Sequence, residues 1–235
     1  MKTKIRCRVV FTVGGKGGIG KSWLIGLLAQ WLEFQRASFQ VYDGDEETST
    51  TSRFLSAAKF LAIRSSVEID QLVQVAAEGQ YQTILVDLPA RAGDEFQNWF
   101  AVVPWDELSE LGIRFTALCV VAGAKDSIEA VLRWREFLGN YVDYVLALNQ
   151  RDDLGIFLSS RARDQFNAAG VVTVEIAKLD ERFATALDRA NWTLTAALTS
   201  TAPHFLTQIM SRARLRKYRD QVFAQFEIIK HLLIP

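Results

Sequence analysis

With 235 residues, 49% of them apolar and 23% charged, the chain can bury a sizeable core, and its length suits one α/β domain over residues 1–235. Its 27 basic and 27 acidic side chains leave no net charge, which argues against a globally basic nucleic-acid coat and leaves local patches open. The sequence has no secretory h-region and no apolar run long enough to span a bilayer, and its two cysteines, Cys7 and Cys119, fall in apolar strand-like runs. These features predict a cytoplasmic protein with reduced thiols, and two histidines are too few for a structural zinc site.

The first element is a β-branched run over residues 5–13, fit for a buried strand, and residues 23–34 carry apolar side chains at helical spacing. Between them Gly15 to Ser22 spell G-x-x-x-x-G-K-S through Lys16, Gly17, Gly18, Ile19, Gly20 and Lys21. Glycine loses the most entropy on folding, so such a cluster needs a compensating role. Here the glycines let backbone N–H groups turn inward onto phosphate oxygens, Lys21 reaches the β- and γ-phosphates, and Ser22 offers its hydroxyl to Mg²⁺. The phosphates would then lie at the N-terminus of the helix that Trp23 enters, where dipole and unpaired amides favour an anion. A bare glycine-rich turn is the alternative. Average composition yields the pattern in roughly one chain in a hundred of this length, and the flanking strand and helix make chance rarer still.

Further β-rich runs follow at 39–42, 83–86, 114–121, 144–148 and 171–176, with helical patterns at 68–78, 127–138 and 159–169 between them. This alternation predicts a mostly parallel sheet with helices on both faces. The last third reads as helical at 182–188 and 193–198, then as one long helix over about 203–233.

The segment KGGIGKS resembles the deviant P-loop of the ParA/MinD family of ATPases, which also includes the nitrogenase iron protein and arsenite-pump ATPases. The resemblance implies ATP and Mg²⁺ as ligands and a homodimer that sandwiches ATP. It also implies that Lys16 reaches across the interface to the partner's nucleotide, since an ordinary P-loop needs no lysine there. It covers roughly residues 8–190, with sharp motifs only in the first half. No cysteine arrangement here could bridge an iron–sulfur cluster, which sets the chain apart from the iron protein.

Three more stations fall at predicted strand ends, where open parallel sheets gather their chemistry. In VYDGDEETST, Asp43 and Asp45 stand at i and i+2 on an extended segment and point the same way. They are similar to the family's switch I. That likeness gives Asp45 the attacking water and Asp43 a role at magnesium or in the loop, although residues 46–49 depart from the family's usual Pro-Gln-Gly-Asn. A capped helix start is the bland reading. In TILVDLPARAGD, Asp87 takes the Walker B position, holding magnesium through water, and Arg91 stands where the family's switch II has its first glycine. In YVLALNQR, Asn149 matches an asparagine that hydrogen-bonds the adenine edge in the family, though asparagine after a strand is commonly a turn residue.

Arg212, Arg214, Arg216, Lys217 and Arg219 concentrate charge on the last helix, beside an apolar stripe of Leu215, Tyr218, Val222, Phe226, Ile229 and Leu233. The stripe can dock internally and leave the arginines solvated. Alternatively, by resemblance, the basic surface holds nonspecific DNA through Arg212, Arg216 and Arg219, or the helix lies on anionic membrane. The basic residues cluster in the first half of the helix, which favours DNA.

The first strand begins almost at once, predicting no fused helix-turn-helix domain. Together these features predict a cytoplasmic, nucleoid-associated ATPase switch of partition type, hydrolysing ATP slowly under a stimulating partner protein. A membrane-surface positioning ATPase is the runner-up, and a nucleotide-binding scaffold without turnover the third reading.

Overall fold

The computed structural model describes residues 4–15, 17–45, 49–64, 66–89, 93–123, 125–150, 153–158 and 160–235. Among the described residues seven strands form one parallel sheet: β1 (Cys7–Val13), β2 (Phe39–Asp43), β3 (Lys59–Phe60), β4 (Thr83–Asp87), β5 (Ile113–Val121), β6 (Asp143–Asn149) and β7 (Val172–Ile176). Their spatial order is β3-β2-β4-β1-β5-β6-β7. The chain leaves β1 for one edge, returns through β4, and then builds the other side from β5 outward. The order reverses around β1, and a crevice opens at the C-terminal ends of the strands beside such a point.

Alternation along the strands feeds two cores. Cys7, Val9, Phe11 and Val13 join one core with Phe96, Trp99 and Phe100 of the helix Gly93–Val102. Val10, Leu85, Leu118 and Val145 join the other, beneath the helices Lys21–Phe34 and Ile209–Ile228. Burial on both faces is why the central strands read as nearly unbroken apolar runs. Cys7 and Cys119 are free and buried, and burial pushes both thiols up to about 12, so neither is a reactive nucleophile at neutral pH.

The C-terminal stripe docks internally. Leu215, Val222, Phe226, Ile229 and Leu233 are all buried, as is Tyr218. Trp31 meets Phe226 edge-on at 5.9 Å and donates to Glu227 at 3.1 Å. The end of the chain is fastened to the sheet by the Thr83 and Thr116 hydroxyls, which donate to the Leu233 and Leu232 carbonyls at 2.7 Å each. No helix among the described residues is long and apolar enough to cross a membrane.

The structure corrects several predicted boundaries. The helix expected over 203–233 is a 3₁₀ turn (Phe205–Thr207), a helix (Ile209–Ile228) and a last turn (Lys230–Leu233). His204 caps the short turn by accepting from Leu206 N, and an extended Gln208 and a non-helical Ile229 separate the pieces. The pattern over 68–78 divides into Ser66–Ile69 and Gln71–Glu78. Strand β3 and the helix Thr50–Phe54 escaped the sequence pattern because two and five residues are too few to display a period.

Candidate functional site

The glycine loop leaves β1 at its C-terminal end and enters the helix Lys21–Phe34 directly. Gly20 is the N-cap at φ 96°, a conformation that strains any L-residue, and a Cβ there would stand 2.3 Å from Asn149 Nδ2. Gly15 is fixed by packing instead: a Cβ would lie 2.4 Å from the Ala130 Cβ and 2.8 Å from the Asp126 carbonyl oxygen. Among the described residues no side chain caps the helix and no acid sits in its first turn, so its positive end is left for an incoming anion.

Lys21 and Ser22, the next two residues, face carboxylates. Lys21 is buried, and burial lowers its pKa below the ordinary lysine value while Asp87 and Asp45 oppose the shift. A triphosphate would add to the negative charge that Asp87 and Asp45 already bring to this ammonium and so offset its burial further. Asp87 closes β4, in register with Asp43 at the end of β2, and both are buried. Its Oδ1 accepts from the Thr12 hydroxyl at 3.3 Å and its Oδ2 from the Thr51 hydroxyl at 2.6 Å. Burial raises the Asp87 pKa above the usual carboxylate range; hydrogen bonds from Thr51 and Ser22 pull it down, the Asp43 charge adds to the rise, and Lys21 opposes it.

Asp43 has two sequence-assigned roles, and the structure places its oxygens on the loop. Oδ1 accepts from Asp45 N at 3.1 Å, while Oδ2 accepts from Ser52 N at 2.8 Å and Ser52 Oγ at 2.9 Å. The carboxylate thereby ties Asp45 and the helix Thr50–Phe54 to the end of β2, the loop role of the two. Asp45 is partly exposed and lines the same cleft as Lys21.

That cleft has a volume of about 890 Å³. Gly17, Gly18, Gly20, Lys21 and Ser22 line it together with Asp45, Thr51 and Asp87. Away from the carboxylates its walls are Trp23, Asn149, Lys178, Leu179, Trp192 and Tyr218. Trp23 Nε1 donates to the Tyr218 hydroxyl at 3.1 Å, tying the phosphate-loop helix to the C-terminal helix. Asn149 Nδ2 donates to Ile19 O at 2.8 Å, so the carboxamide assigned to adenine from the sequence braces the glycine loop. The oxygen donors Ser22, Thr51 and Asp87 form a set that suits a magnesium ion and no soft metal.

Sequence reasoning missed Thr51. The available signal was the run of five hydroxyl residues at 48–52, unusual directly after an acidic turn. Lys16, the residues 46–48 and Arg91 lie outside the described residues.

The basic residues of the helix Ile209–Ile228 are not equivalent. The Arg212 guanidinium donates inward to the Ser200 carbonyl, and Arg219 pairs with Asp220 at 2.7 Å while stacking over Phe223 at 5.8 Å. Of the three arginines assigned to DNA, only Arg216 is exposed, Arg212 and Arg219 being half-buried, and Arg214 and Lys217 are exposed beside it.

No family model matches the sequence, and no curated protein matches it significantly. Solved structures do. The MinD cell division protein of Aquifex aeolicus aligns over 91% of this chain and 96% of its own at 16% identity, with a TM-score of 0.58. The chain shares its fold with MinD. A putative plasmid partition protein of Borrelia burgdorferi B31 bound to AMPPNP covers 90% of this chain and 98% of its own (13% identity, TM-score 0.50). A nucleotide-binding protein of Archaeoglobus fulgidus in complex with ADP covers 80% of this chain and 87% of its own (16% identity, TM-score 0.51). At these identities the likeness is one of fold: a parallel sheet with a phosphate-loop helix on one face and the ligand crevice at its C-terminal edge.

Proposed function

We propose that the protein is an ATPase switch of the ParA/MinD type, which binds ATP with Mg²⁺ in the cleft, closes as a homodimer, and in that form holds nonspecific DNA. The observation that carries the reading is the convergence of Lys21, Ser22, Asp45 and Asp87 on one cleft at the open N-terminus of the phosphate-loop helix. The AMPPNP bound to the Borrelia protein and the ADP bound to the Archaeoglobus protein support it.

The residues divide the work by their chemistry. Loop amides and Lys21 neutralise the β- and γ-phosphates, and the low polarity around a buried lysine strengthens that attraction. Ser22 and Asp87 would hold magnesium, which supplies charge neutralisation across the phosphates when bound. Asp45, at the rim, orients the attacking water. Asp43 holds Asp45 by its backbone N–H and the helix Thr50–Phe54 by Ser52. Lys16 serves the partner's nucleotide, which makes hydrolysis depend on dimerisation, and a partner protein stimulates the step.

The surface bound by the dimer is DNA rather than membrane. The C-terminal stripe that a membrane would need is consumed by the core, while Arg214, Arg216 and Lys217 stand outside it. Phosphate contacts by such side chains release counterions, so affinity should fall steeply with salt.

The test is sizing by light scattering and co-sedimentation with plain DNA or anionic liposomes, each in ATP and in ADP. The reading expects an ATP-dependent dimer that sediments with DNA, loss of dimerisation in Lys16→Ala, and loss of DNA alone in a Glu triple variant of Arg214, Arg216 and Lys217. A protein that stays monomeric in ATP contradicts the switch. Sedimentation with liposomes but not DNA promotes the membrane-positioning reading.

A further inference from the structure

Three hydroxyls surround the Asp87 carboxylate, and they are not equivalent. Thr12, on β1, lies beneath the floor: its hydroxyl donates to Asp87 Oδ1 and accepts from Leu88 N at 3.2 Å, and it does not line the cleft. Ser22 and Thr51 do line it, one from the phosphate loop and the other from the helix Thr50–Phe54 on the facing side. Both hydrogen-bond Asp87. A hydroxyl has one proton to donate and two lone pairs to offer. Donation to one buried carboxylate orients each hydroxyl and leaves its lone pairs for a cation, which is how an outer carboxylate prepares the ligands in front of it.

We propose that Thr51 is a second hydroxyl ligand of the nucleotide-bound magnesium ion, supplied by the switch I helix opposite Ser22. The inference rests on the nucleotide reading of the cleft and adds a residue and a consequence to it. Magnesium demands near-octahedral oxygen ligands at about 2.0–2.1 Å, so a ligand on the helix Thr50–Phe54 constrains where that helix sits when the ion is present. The helix is anchored at its base by Asp43, through Ser52 N and Oγ. Two residues beyond Thr51, Arg53 forms an ion pair with Asp188 of the helix Glu181–Ala190, and Asp188 lines the far wall of the cleft. Cation ligand and cross-cleft tie therefore sit on one five-residue helix. Occupancy of the metal position is read out at the far wall, giving switch I a direct response to bound Mg²⁺-nucleotide.

The experiment compares ATP affinity by calorimetry in Mg²⁺ and in EDTA for wild type, Thr51→Val and Thr51→Ser, with Mn²⁺ binding to the ADP complex followed by electron paramagnetic resonance. Valine keeps the shape and removes the hydroxyl; serine keeps the hydroxyl. The expected result is an affinity gain of at least about tenfold on adding Mg²⁺ to wild type, most of it lost in Thr51→Val, with EDTA affinity unchanged and the gain retained in Thr51→Ser. Mn²⁺ binding to the ADP complex should weaken in the same variant only. If circular dichroism shows that Thr51→Val does not fold, Thr51→Ala carries the same expectation. A variant lacking the hydroxyl that keeps both the wild-type Mg²⁺ gain and wild-type Mn²⁺ binding overturns the assignment and leaves the nucleotide reading intact. Wild type that binds no ATP in either condition overturns both.

Discussion

Gly20→Ala should damage the protein through two separable effects. The first is backbone strain: Gly20 sits at φ 96°, where an L-residue costs roughly 1–2 kcal/mol. The second is a collision, because the new Cβ would stand 2.3 Å from Asn149 Nδ2. Asn149 is only 7% exposed and donates to Ile19 O, so swinging it away leaves a buried amide and a loop carbonyl unsatisfied, at about 1–3 kcal/mol. The sum, about 2–5 kcal/mol, lowers Tm by roughly 4–20 °C in a chain of this size. Asn149→Ala removes the obstacle, so adding Gly20→Ala to it should cost only the backbone part. Urea denaturation of the wild type, both single variants and the double variant measures the coupling, expected at about 1–3 kcal/mol. Single-variant costs that add within about 0.5 kcal/mol would refute the claim that Asn149 braces the loop against Gly20.

Asp87→Asn should stabilise the unliganded protein, by on the order of 1 kcal/mol or ~2–4 °C, while abolishing the Mg²⁺-dependent part of ATP binding. Burial raises the Asp87 pKa, so the folded state holds this proton more tightly than the unfolded one. Its contribution to stability is then largest in acid and is lost as pH rises through the folded pKa, so the melting advantage of Asn over Asp should grow as pH is raised from the ordinary carboxylate range. Phe226→Ala, at a site 1% exposed beneath Trp31, should cost about 3–5 kcal/mol by chemical denaturation, whereas Ile228→Ala, 53% exposed, should cost little. A loss below about 1 kcal/mol at Phe226 would mean the C-terminal helix is detachable. Asp45→Ala should retain ATP binding and lower the rate of phosphate release by roughly a hundredfold, and an unchanged rate would remove Asp45 from the water-orienting role.

What was legible in the sequence follows from the range of the interactions involved. The glycine loop, Lys21 and Ser22 lie within one strand-turn-helix unit, so their pattern is local and readable. Asp87 and Asp43 were legible as carboxylates at strand ends, because buried parallel strands leave an apolar run that stops at them. The roles of the partners were not. Asn149 reaches the glycine loop across a separation of 130 residues, and Thr51 meets Asp87 across 36, distances over which composition and periodicity carry no information. The basic helix was half legible for a related reason. Periodicity identified its buried stripe, but not which arginines turn inward, and Arg212 is drawn in by a carbonyl at Ser200 that no helical wheel displays.

The central claim is that the cleft at the end of β1 and β4 binds a nucleoside triphosphate through Lys21. Calorimetric titration of the purified protein with ATP and Mg²⁺, beside Lys21→Ala, tests it most directly. One saturable site per chain in wild type, abolished in the variant while its melting temperature stays within a few degrees of wild type, is the predicted result. Equal ATP affinity in the two proteins, or no saturable binding by wild type, would contradict it.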